Sequence, residues 1–200
     1  MKKLKSSLTN MVLVLTMISF VAGGALAFVN QITQGPIEEI NNDNLQEGIK
    51  QVILGQTSGT LHVEAPDTAE NGFVIYRTDK GTAVKSTASG FGGLIEVLVG
   101  FNKTGDILGY TILNTSETPG LGAKADTWFQ KDGKGNIIGL NPGENNLTVS
   151  KDGGEVDAIT ASTITSRAFL NAVNAAYQTL KGEPSDAWTG ASPQANNNNN

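Results

Sequence analysis

The residues with the clearest chemical potential lie near the C-terminus, where residues 157–163 read D-A-I-T-A-S-T. Apolar side chains recur at intervals of three and four in residues 164–180, and this spacing predicts an amphipathic helix that follows the turn directly. The first backbone N–H groups of a helix have no partner within it, so they attract an anion. The hydroxyl side chains of the turn serve either to cap this helix or to help seat a phosphate, and local sequence leaves both functions open.

Two glycine-rich loops precede this turn in the chain. Residues 89–93 read S-G-F-G-G before an apolar strand, and residues 117–122 read E-T-P-G-L-G before a short helical segment. The first loop lacks the lysine and the following helix of a P-loop, so we interpret it as a tight strand entry that borders a ligand site. In the second loop, Gly120 and Gly122 allow the backbone to approach a planar ring, although glycine loops often serve only as turns.

These three segments, in this order and behind an apolar N-terminal stretch, resemble the FMN-binding domain of the Rnf G-subunit and Nqr C-subunit family over nearly the whole chain. In that family the last threonine of a D-x-x-S/T-G-A-S/T pattern is esterified to the phosphate of FMN by a separate flavin transferase that uses FAD. The resemblance implies that Thr163 is this acceptor and that Asp157 helps the transferase engage the site. The corresponding motif residues are Asp157, Thr160, Ala161, Ser162 and Thr163.

The chain departs from the family pattern at two places. Ala161 and Ser162 stand where Gly-Ala is usual, which removes a flexible residue and adds a rival hydroxyl beside Thr163. Thr115 stands where many relatives carry a histidine two places before the glutamate of the second loop. The resemblance therefore implies nothing about a histidine at that position here.

The resemblance also implies the surroundings of the flavin. An isoalloxazine ring needs an apolar slot and hydrogen-bond donors, and the phosphate needs a positive or dipolar seat. We expect Arg167, one turn into the helix, either to offset phosphate charge or to lie on a solvated face. We expect Glu117 to accept a hydrogen bond from a ring N–H or to cap the helix that follows its loop. The residues expected at the FMN are Thr163, Thr160, Ser162, Glu117, Thr118, Gly120, Leu121, Phe91 and Arg167.

Composition narrows the chemistry that the chain can perform. Its 200 residues carry 14 basic and 19 acidic side chains, a net charge of −5. All acidic residues follow position 30, so the acidic surface of the soluble part repels nucleic acid. The absence of cysteine excludes thiolate-bound iron–sulfur clusters and thioether-bound haem, and the single histidine, His62, argues against a metal centre. With no catalytic acid–base pair or nicotinamide pocket recognisable, redox work would depend on an organic cofactor.

Residues 11–29 form an almost uninterrupted apolar run of about the length needed to cross a bilayer core. Lysines at positions 2, 3 and 5 precede it, and positive charge favours the cytoplasmic side of a membrane. The domain that follows is therefore expected outside the cytoplasm. A cleaved signal peptide is the competing interpretation, because A-L-A at residues 25–27 resembles a cleavage site. The apolar run continues past residue 27, and this length favours an uncleaved anchor.

Beyond the anchor, the pattern predicts an α+β fold: a twisted antiparallel sheet with packed helices. Short apolar runs are separated by turns, and connections this short imply antiparallel pairing. The predicted strands are residues 61–64, 73–77, 83–87, 94–101, 107–113, 137–140 and 147–149. Residues 123–130 are predicted as a helix with Trp128 and Phe129 facing inward.

The predicted organisation has five parts. A polar connector is predicted after the anchor, with Pro36 early and a helix from Glu38 that continues to about residue 54. The low-complexity end of the chain is expected to be disordered. The parts are a cytoplasmic N-terminus (1–10), a transmembrane helix (11–29), a juxtamembrane connector (30–58), an FMN-binding domain (59–183) and a disordered C-terminal tail (184–200).

By resemblance, the chain is expected to relay electrons between flavin and iron–sulfur centres in an Rnf-type ferredoxin:NAD⁺ oxidoreductase that pumps Na⁺ or H⁺. The expected partners are the Rnf A, B, C, D and E subunits, the membrane, and the transferase that supplies covalent FMN from FAD. The chain is expected in the inner membrane, with its N-terminus cytoplasmic. Two alternatives stay open. One is the C subunit of a Na⁺-translocating NADH:quinone oxidoreductase or another extracytoplasmic flavin carrier, and the other is a non-redox anchored binding module.

We predict that the mature chain retains residues 11–29 as one membrane-spanning helix with its N-terminus inside. The physical reason is the uncharged apolar run preceded by lysines. Peptide mass analysis of the mature protein should recover fragments that extend N-terminally past residue 27. A new N-terminus at Phe28 would contradict the prediction.

Overall fold

The computed structural model describes residues 8–183 together with residues 190 and 191. The chain divides into two compact units, Met1–Asn44 and Leu45–Asn200. Helix α1, Leu8–Leu54, is 47 residues long and contributes to both units. Within the described residues α1 is the one helix long and apolar enough to cross a membrane, and an 18-residue window of it has a mean hydropathy of 2.4. Its large apolar side chains in the first unit are exposed, as lipid contact would require.

Helix α1 also runs through the segment for which the sequence predicts a polar connector. Pro36 lies inside α1 and does not precede a new helix at Glu38, so this part of the prediction was wrong. Proline removes one backbone hydrogen bond from a helix, and here the Gln34 Nε2 atom donates to Oε1 of Glu38 at 3.2 Å across the same turn. The second compact unit begins at Leu45 and so includes the last turns of α1.

The second unit is built on a five-stranded antiparallel sheet in which the strands follow one another in chain order. Its strands are β1 Asp67–Thr68, β2 Val74–Arg77, β3 Thr82–Ser89, β4 Leu94–Phe101 and β5 Ile107–Thr115. Successive residues of a strand face opposite sides of the sheet, and both faces are covered. In β4, Val97 and Val99 lie in one apolar cluster while Leu98 lies in the other. With the helices packed on this sheet, the predicted α+β class is confirmed.

Four predicted elements differ from the structure. Residues 137–140 and 147–149 do not pair with each other as strands, and Val149 makes only an isolated bridge to Val156, although Ile137, Leu147 and Val149 are buried. Residues 61–64 contribute one isolated bridge, Val63 to Thr78. The predicted helix at 123–130 is a 3₁₀ turn, Gly122–Lys124, followed by the short helix α2, Ala125–Trp128. A short apolar run between Gly, Asn and Pro can be buried in a turn as well as in a paired strand. The periodicity of the sequence does not distinguish these two structures.

Helix α3, Thr163–Lys181, covers one face of the sheet. It matches the predicted helix and ends at Gly182, whose φ of 75° is left-handed. Its Phe169 ring stacks on Phe129 with centroids 4.4 Å apart and meets the Tyr110 ring edge-on at 4.7 Å. The Tyr110 hydroxyl donates to the Ala125 carbonyl at 2.6 Å, and burial raises the pKa of this phenol well above its ordinary value. This aromatic cluster joins the C-terminal end of α2 to α3 and β5.

The last turns of α1 cover the other face. Ile49, Val52 and Ile53 pack there with Leu98 and neighbouring apolar side chains of the sheet. The approach is close because Gly100 and Gly109, paired across β4 and β5, both face the Val52 backbone. Glycine at these two positions leaves room for the helix backbone.

The C-terminal tail, predicted as disordered over 184–200, lies outside the described residues except at Gly190 and Ala191. Gly190 is buried, and its N–H donates to the carbonyl of Ser89 at 2.9 Å. A Cβ at Gly190 would meet the Ala168 side chain at 3.0 Å, so this residue packs on α3. The chain therefore returns to the sheet at Gly190.

We predict that Gly100→Ala destabilises the second unit more than Gly109→Ala does. A Cβ at position 100 would stand 2.5 Å from the Val52 carbonyl oxygen, whereas one at position 109 would stand 3.1 Å from the same atom. Overpacking against backbone costs about 1–3 kcal/mol, and the looser position should fall at or below the lower end of that range. Thermal unfolding in detergent, followed by circular dichroism, measures both. Equal melting temperatures for the two variants would contradict this packing.

Candidate functional site

The turn that precedes α3 is held by a serine from inside the helix. The Ser166 hydroxyl donates to the Ser162 carbonyl at 2.9 Å and accepts the Ile159 N–H at 2.9 Å. A backbone bond from the Ser162 N–H to the Ile159 carbonyl, at 3.0 Å, closes the same turn. The turn is therefore rigid, and Thr163 is placed as the first residue of α3. The N–H groups of this first turn have no acceptor within the helix.

The three hydroxyls of the motif differ in accessibility. Ser162 is 8% exposed, Thr163 is half-buried, and Thr160 is exposed on the turn before the helix. Burial of Ser162 hides the extra hydroxyl that distinguishes this chain from the family pattern. Of the two accessible hydroxyls, only that of Thr163 stands on the first turn of α3, where the helix dipole favours an anion.

Ala161 has a left-handed backbone, with a φ of 62°. It is the one residue other than glycine with positive φ in the described part of the chain. This conformation costs an L-residue about 1–2 kcal/mol but costs glycine almost nothing. The position is the one where the family pattern has glycine, so the structure gives a physical reason for that glycine and for strain in its absence.

A single buried carboxylate connects the three segments singled out from the sequence. Glu117 is 7% exposed, and its Oε1 accepts the Phe91 N–H at 2.7 Å and the Gly92 N–H at 3.1 Å. Its Oε2 accepts the Thr165 hydroxyl at 2.9 Å. The first glycine loop, the second loop and the first turn of α3 thus meet at one side chain.

Glycines make room for this carboxylate. A Cβ at Gly90 would collide with Oε1 of Glu117, and a Cβ at Gly122 would collide with Oε2 and stand 2.8 Å from the Thr165 hydroxyl oxygen. Gly120 differs, because its φ is 77° and no neighbour lies within 4 Å of the Cβ position. From the sequence, Gly122 was expected to let a ring approach, but Glu117 occupies the space beside it. Gly120 is required because its turn has a left-handed backbone.

The loops around Glu117 expose apolar side chains. Phe91 is 73% exposed and Leu121 is 42% exposed, and each lies in a loop that packs around the carboxylate. The Thr118 carbonyl accepts the N–H groups of Leu121 and Ala123, at 3.1 and 3.2 Å, which shapes the second loop into a tight turn. Exposed aromatic and aliphatic side chains on fixed loops are suited to contact a planar ring.

Arg167 is engaged by a carboxylate. Its Nε donates to Oδ2 of Asp152 at 2.6 Å and its Nη2 donates to Oδ1 at 2.8 Å, a bidentate pair with side chains 19% and 10% exposed. These hydrogen bonds hold the pKa of the Asp152 carboxyl below its usual range. Its stabilising contribution is present above the unfolded pKa and is lost as pH falls through the lowered folded value. The role of Arg167 toward a phosphate stays a prediction.

Asp157 presents its side chain to solvent, while its backbone is fixed. The Trp128 indole N–H donates to the Asp157 carbonyl at 2.8 Å, and the Ser150 hydroxyl lies 3.5 Å from Oδ1 of its carboxylate. The predicted inward direction of Trp128 is therefore only partly correct, since this residue is half-buried and Phe129 is fully buried. An exposed carboxylate at the start of a rigid motif is accessible to a modifying enzyme.

Two residues that build the site were not recognised from the sequence. These are Asp152 and Ser166. Thr165 and Ser166 stand at the start of the predicted helix, where a hydroxyl usually indicates capping. Their actual partners, Glu117 and the turn itself, are recognisable only once the chain is folded.

Comparison with known proteins defines the class. The chain matches the family model described as FMN-binding domain over residues 90–178, which includes all but the first residue of the first loop, the whole second loop, the motif turn and most of α3. It is 32% identical to the G subunit of the Na⁺-translocating ferredoxin:NAD⁺ oxidoreductase complex of Acetobacterium woodii, covering 83% of this chain and 88% of that protein. It is 34% identical to the G subunit of the ion-translocating oxidoreductase complex of Salmonella typhi, covering 81% and 86%. The chain belongs to this family of FMN-binding G subunits.

The residues present fit an FMN. A half-buried threonine hydroxyl stands at the start of a 19-residue helix, whose free N–H groups suit a phosphate. Phe91 and Leu121 offer apolar contact to a ring, and Thr118 offers an exposed hydroxyl beside them. The first turn of α3 and the apolar loops are connected through Glu117 and Thr165.

We predict that Ala161→Gly stabilises the protein. Relief of left-handed strain, about 1–2 kcal/mol, exceeds the entropy that glycine loses on folding, about 0.5–1 kcal/mol. The melting temperature measured by circular dichroism should rise by about 1–4 °C.

Ala158→Gly provides the matched control for this prediction. It makes the same substitution in the same motif at a residue without positive φ, so it should lower the melting temperature. A similar loss of stability in both variants would contradict the assignment of strain to Ala161.

Proposed function

We propose that this protein is a membrane-anchored flavoprotein that carries FMN as a phosphoester on Thr163 and passes electrons within an ion-translocating oxidoreductase complex. The observation that carries the proposal is the position of Thr163, an accessible hydroxyl at the N-terminus of α3 that Glu117 and Thr165 connect to two exposed loops. The relatives from Acetobacterium woodii and Salmonella typhi support membership of a complex, because both are G subunits of ion-translocating oxidoreductases.

Covalent attachment would proceed as a phosphoryl transfer. Oγ1 of Thr163 forms a bond to the FMN phosphorus of FAD, the diphosphate P–O bond breaks, and AMP leaves. The hydroxyl proton passes to a base that the transferase supplies. The exposed Asp157 carboxylate, on a backbone fixed by Trp128, gives the transferase a recognition point. The small Ala161 side chain leaves space beside the acceptor.

The chain positions the cofactor and leaves its redox chemistry to the ring system. When bound, flavin accepts and releases electrons. The phosphoester lies away from the ring, so the link retains the cofactor on the protein without altering the ring covalently. Phe91, Thr118, Gly120 and Leu121 would border the ring on the exposed side of the domain. Arg167 would offset phosphate charge only by sharing its guanidinium with Asp152.

The proposed complex is bound to the membrane. Helix α1 would anchor the chain in the inner membrane with its N-terminus cytoplasmic and its FMN-binding domain outside the cytoplasm, as the N-terminal lysines favour. Ferredoxin:NAD⁺ oxidoreductase is the activity named for the Acetobacterium woodii complex. We therefore favour an Rnf-type complex, with its other membrane subunits and the transferase as partners, over a Na⁺-translocating NADH:quinone oxidoreductase.

We predict that Thr163→Val abolishes covalent flavin while the domain still folds. Valine keeps the β-branched shape and removes the nucleophilic oxygen. The test is the mass of the tryptic peptide covering residues 152–167, from protein produced with and without the transferase. The flavin-phosphate increment should appear only in wild type with transferase, and Thr163→Ser should keep part of it.

Ser162→Ala and Thr160→Val are the matched controls, because each removes one neighbouring hydroxyl. Both should retain the increment. If the increment persists in Thr163→Val, or maps to Thr160 or Ser162 in wild type, Thr163 is not the acceptor. A wild-type protein that shows no flavin absorbance after exposure to the transferase and FAD would support a non-redox binding module instead.

A further inference from the structure

We infer that Glu117 is a positioning residue that acts through the loops it holds, and that its carboxylate adds negative charge beside the flavin. The inference deepens the proposed function and rests on it for the flavin part. By resemblance, Glu117 is expected either to accept a hydrogen bond from a ring N–H or to cap the helix that follows its loop. The structure instead places its two oxygens on protein donors, with 7% of the residue exposed.

The contacts of Glu117 connect residues far apart in the chain. Phe91 lies 26 positions away and Thr165 lies 48 positions away. The Phe91 N–H fixes the backbone of the loop that exposes the Phe91 ring. The Thr165 hydroxyl stands two residues after Thr163, on the same helical turn. Glu117 therefore fixes the apolar loop relative to Thr163. A flavin attached through its phosphate and contacting the loop with its ring must match the separation between the two.

The donor set suits the ionised form of Glu117. All three contacts are donated to the carboxylate, two by backbone N–H groups and one by a hydroxyl. The ionised carboxylate accepts all of them without a proton of its own. In the described part of the chain, the ion pairs are Arg77 with Asp67 and Arg167 with Asp152, so Glu117 has no cationic partner. Its charge is held by hydrogen bonds alone.

This charge has a consequence for electron transfer. Reduction of flavin adds negative charge to the ring, and a nearby fixed anion opposes it. The carboxylate lies in a site largely closed to water, where charge is screened weakly. Glu117 should therefore keep the flavin a stronger reductant than it would be beside a neutral side chain. A role limited to structure would not produce this effect.

Three variants separate positioning from charge. Glu117→Gln preserves size and one carbonyl acceptor but removes the charge. Glu117→Ala removes both acceptors, and Thr165→Val removes one donor and leaves the carboxylate with its two N–H contacts. Glu144→Gln is the matched control, because it makes the same chemical change on an exposed carboxylate of the same unit.

The first measurement uses the full-length protein in detergent without flavin. Amide hydrogen exchange at Phe91 and Gly92 should accelerate about tenfold or more in Glu117→Ala, since a charge-assisted hydrogen bond is lost. Glu117→Gln should restore part of the protection, and Glu144→Gln should match wild type. Unchanged exchange at both amides in Glu117→Ala would overturn the positioning role, whether or not the protein carries flavin. If Glu117→Ala does not fold, the exchange of Glu117→Gln gives the test. Accelerated exchange supports the positioning role, and unchanged exchange overturns it.

The second measurement uses the same proteins after flavin attachment. The midpoint potential of the flavin should shift in the positive direction in Glu117→Gln and stay at the wild-type value in Glu144→Gln. Thr165→Val should alter the visible circular dichroism of the flavin with a smaller shift in potential, and Thr165→Ser should restore the wild-type signal. Equal potentials for Glu117→Gln and Glu144→Gln would overturn the charge effect. A wild-type protein that takes up no flavin would refute the proposed function, while the exchange result would still test Glu117.

Discussion

The buried carboxylate of Glu117 is the constraint around which the site is arranged. A charge removed from water is costly unless hydrogen bonds replace its hydration. Here the replacements are two N–H groups from the first glycine loop and one hydroxyl from α3. Satisfying this one side chain therefore requires the two loops and the helix to take a single relative arrangement. Gly90 and Gly122 follow from the same requirement, because neither position has space for a Cβ.

The turn before α3 shows how rigidity and accessibility are combined. Ser166 and the Trp128 indole fix the backbone of the motif from the inside, while the Asp157 carboxylate and the Thr163 hydroxyl remain accessible. Ala161 takes a left-handed conformation that the surrounding hydrogen bonds impose on it. Strain of this kind persists only where neighbouring structure over-determines the backbone. A modifying enzyme would thus meet a preformed substrate turn.

Regular, strongly patterned elements were predicted well from sequence. Strand β4 and helix α3 were placed within one residue at each end, because a nearly continuous apolar run between turns indicates a buried strand and a three-to-four spacing indicates an amphipathic helix. Residues 137–140 and 147–149 were predicted as strands, since short buried runs look alike whether they enter a ladder or a turn. For residues 30–54, a connector with Pro36 near its start was predicted before a new helix, because proline usually ends or kinks a helix. In the structure Pro36 lies inside the continuous helix α1.

The sequence by itself determined the apolar N-terminal helix, the α+β class, the order of the two glycine loops and the position of Thr163 at a helix start. These depend on local period, turn chemistry and motif spacing, which need no knowledge of distant contacts. The tertiary structure alone decided that Glu117 joins Phe91, Gly92 and Thr165, that Asp152 engages Arg167, and that Ser162 is buried. Each of these is either a contact between residues distant in the chain or the burial of a side chain. Such contacts arise only when the sheet and α3 pack together, because they satisfy polar groups that packing has removed from water.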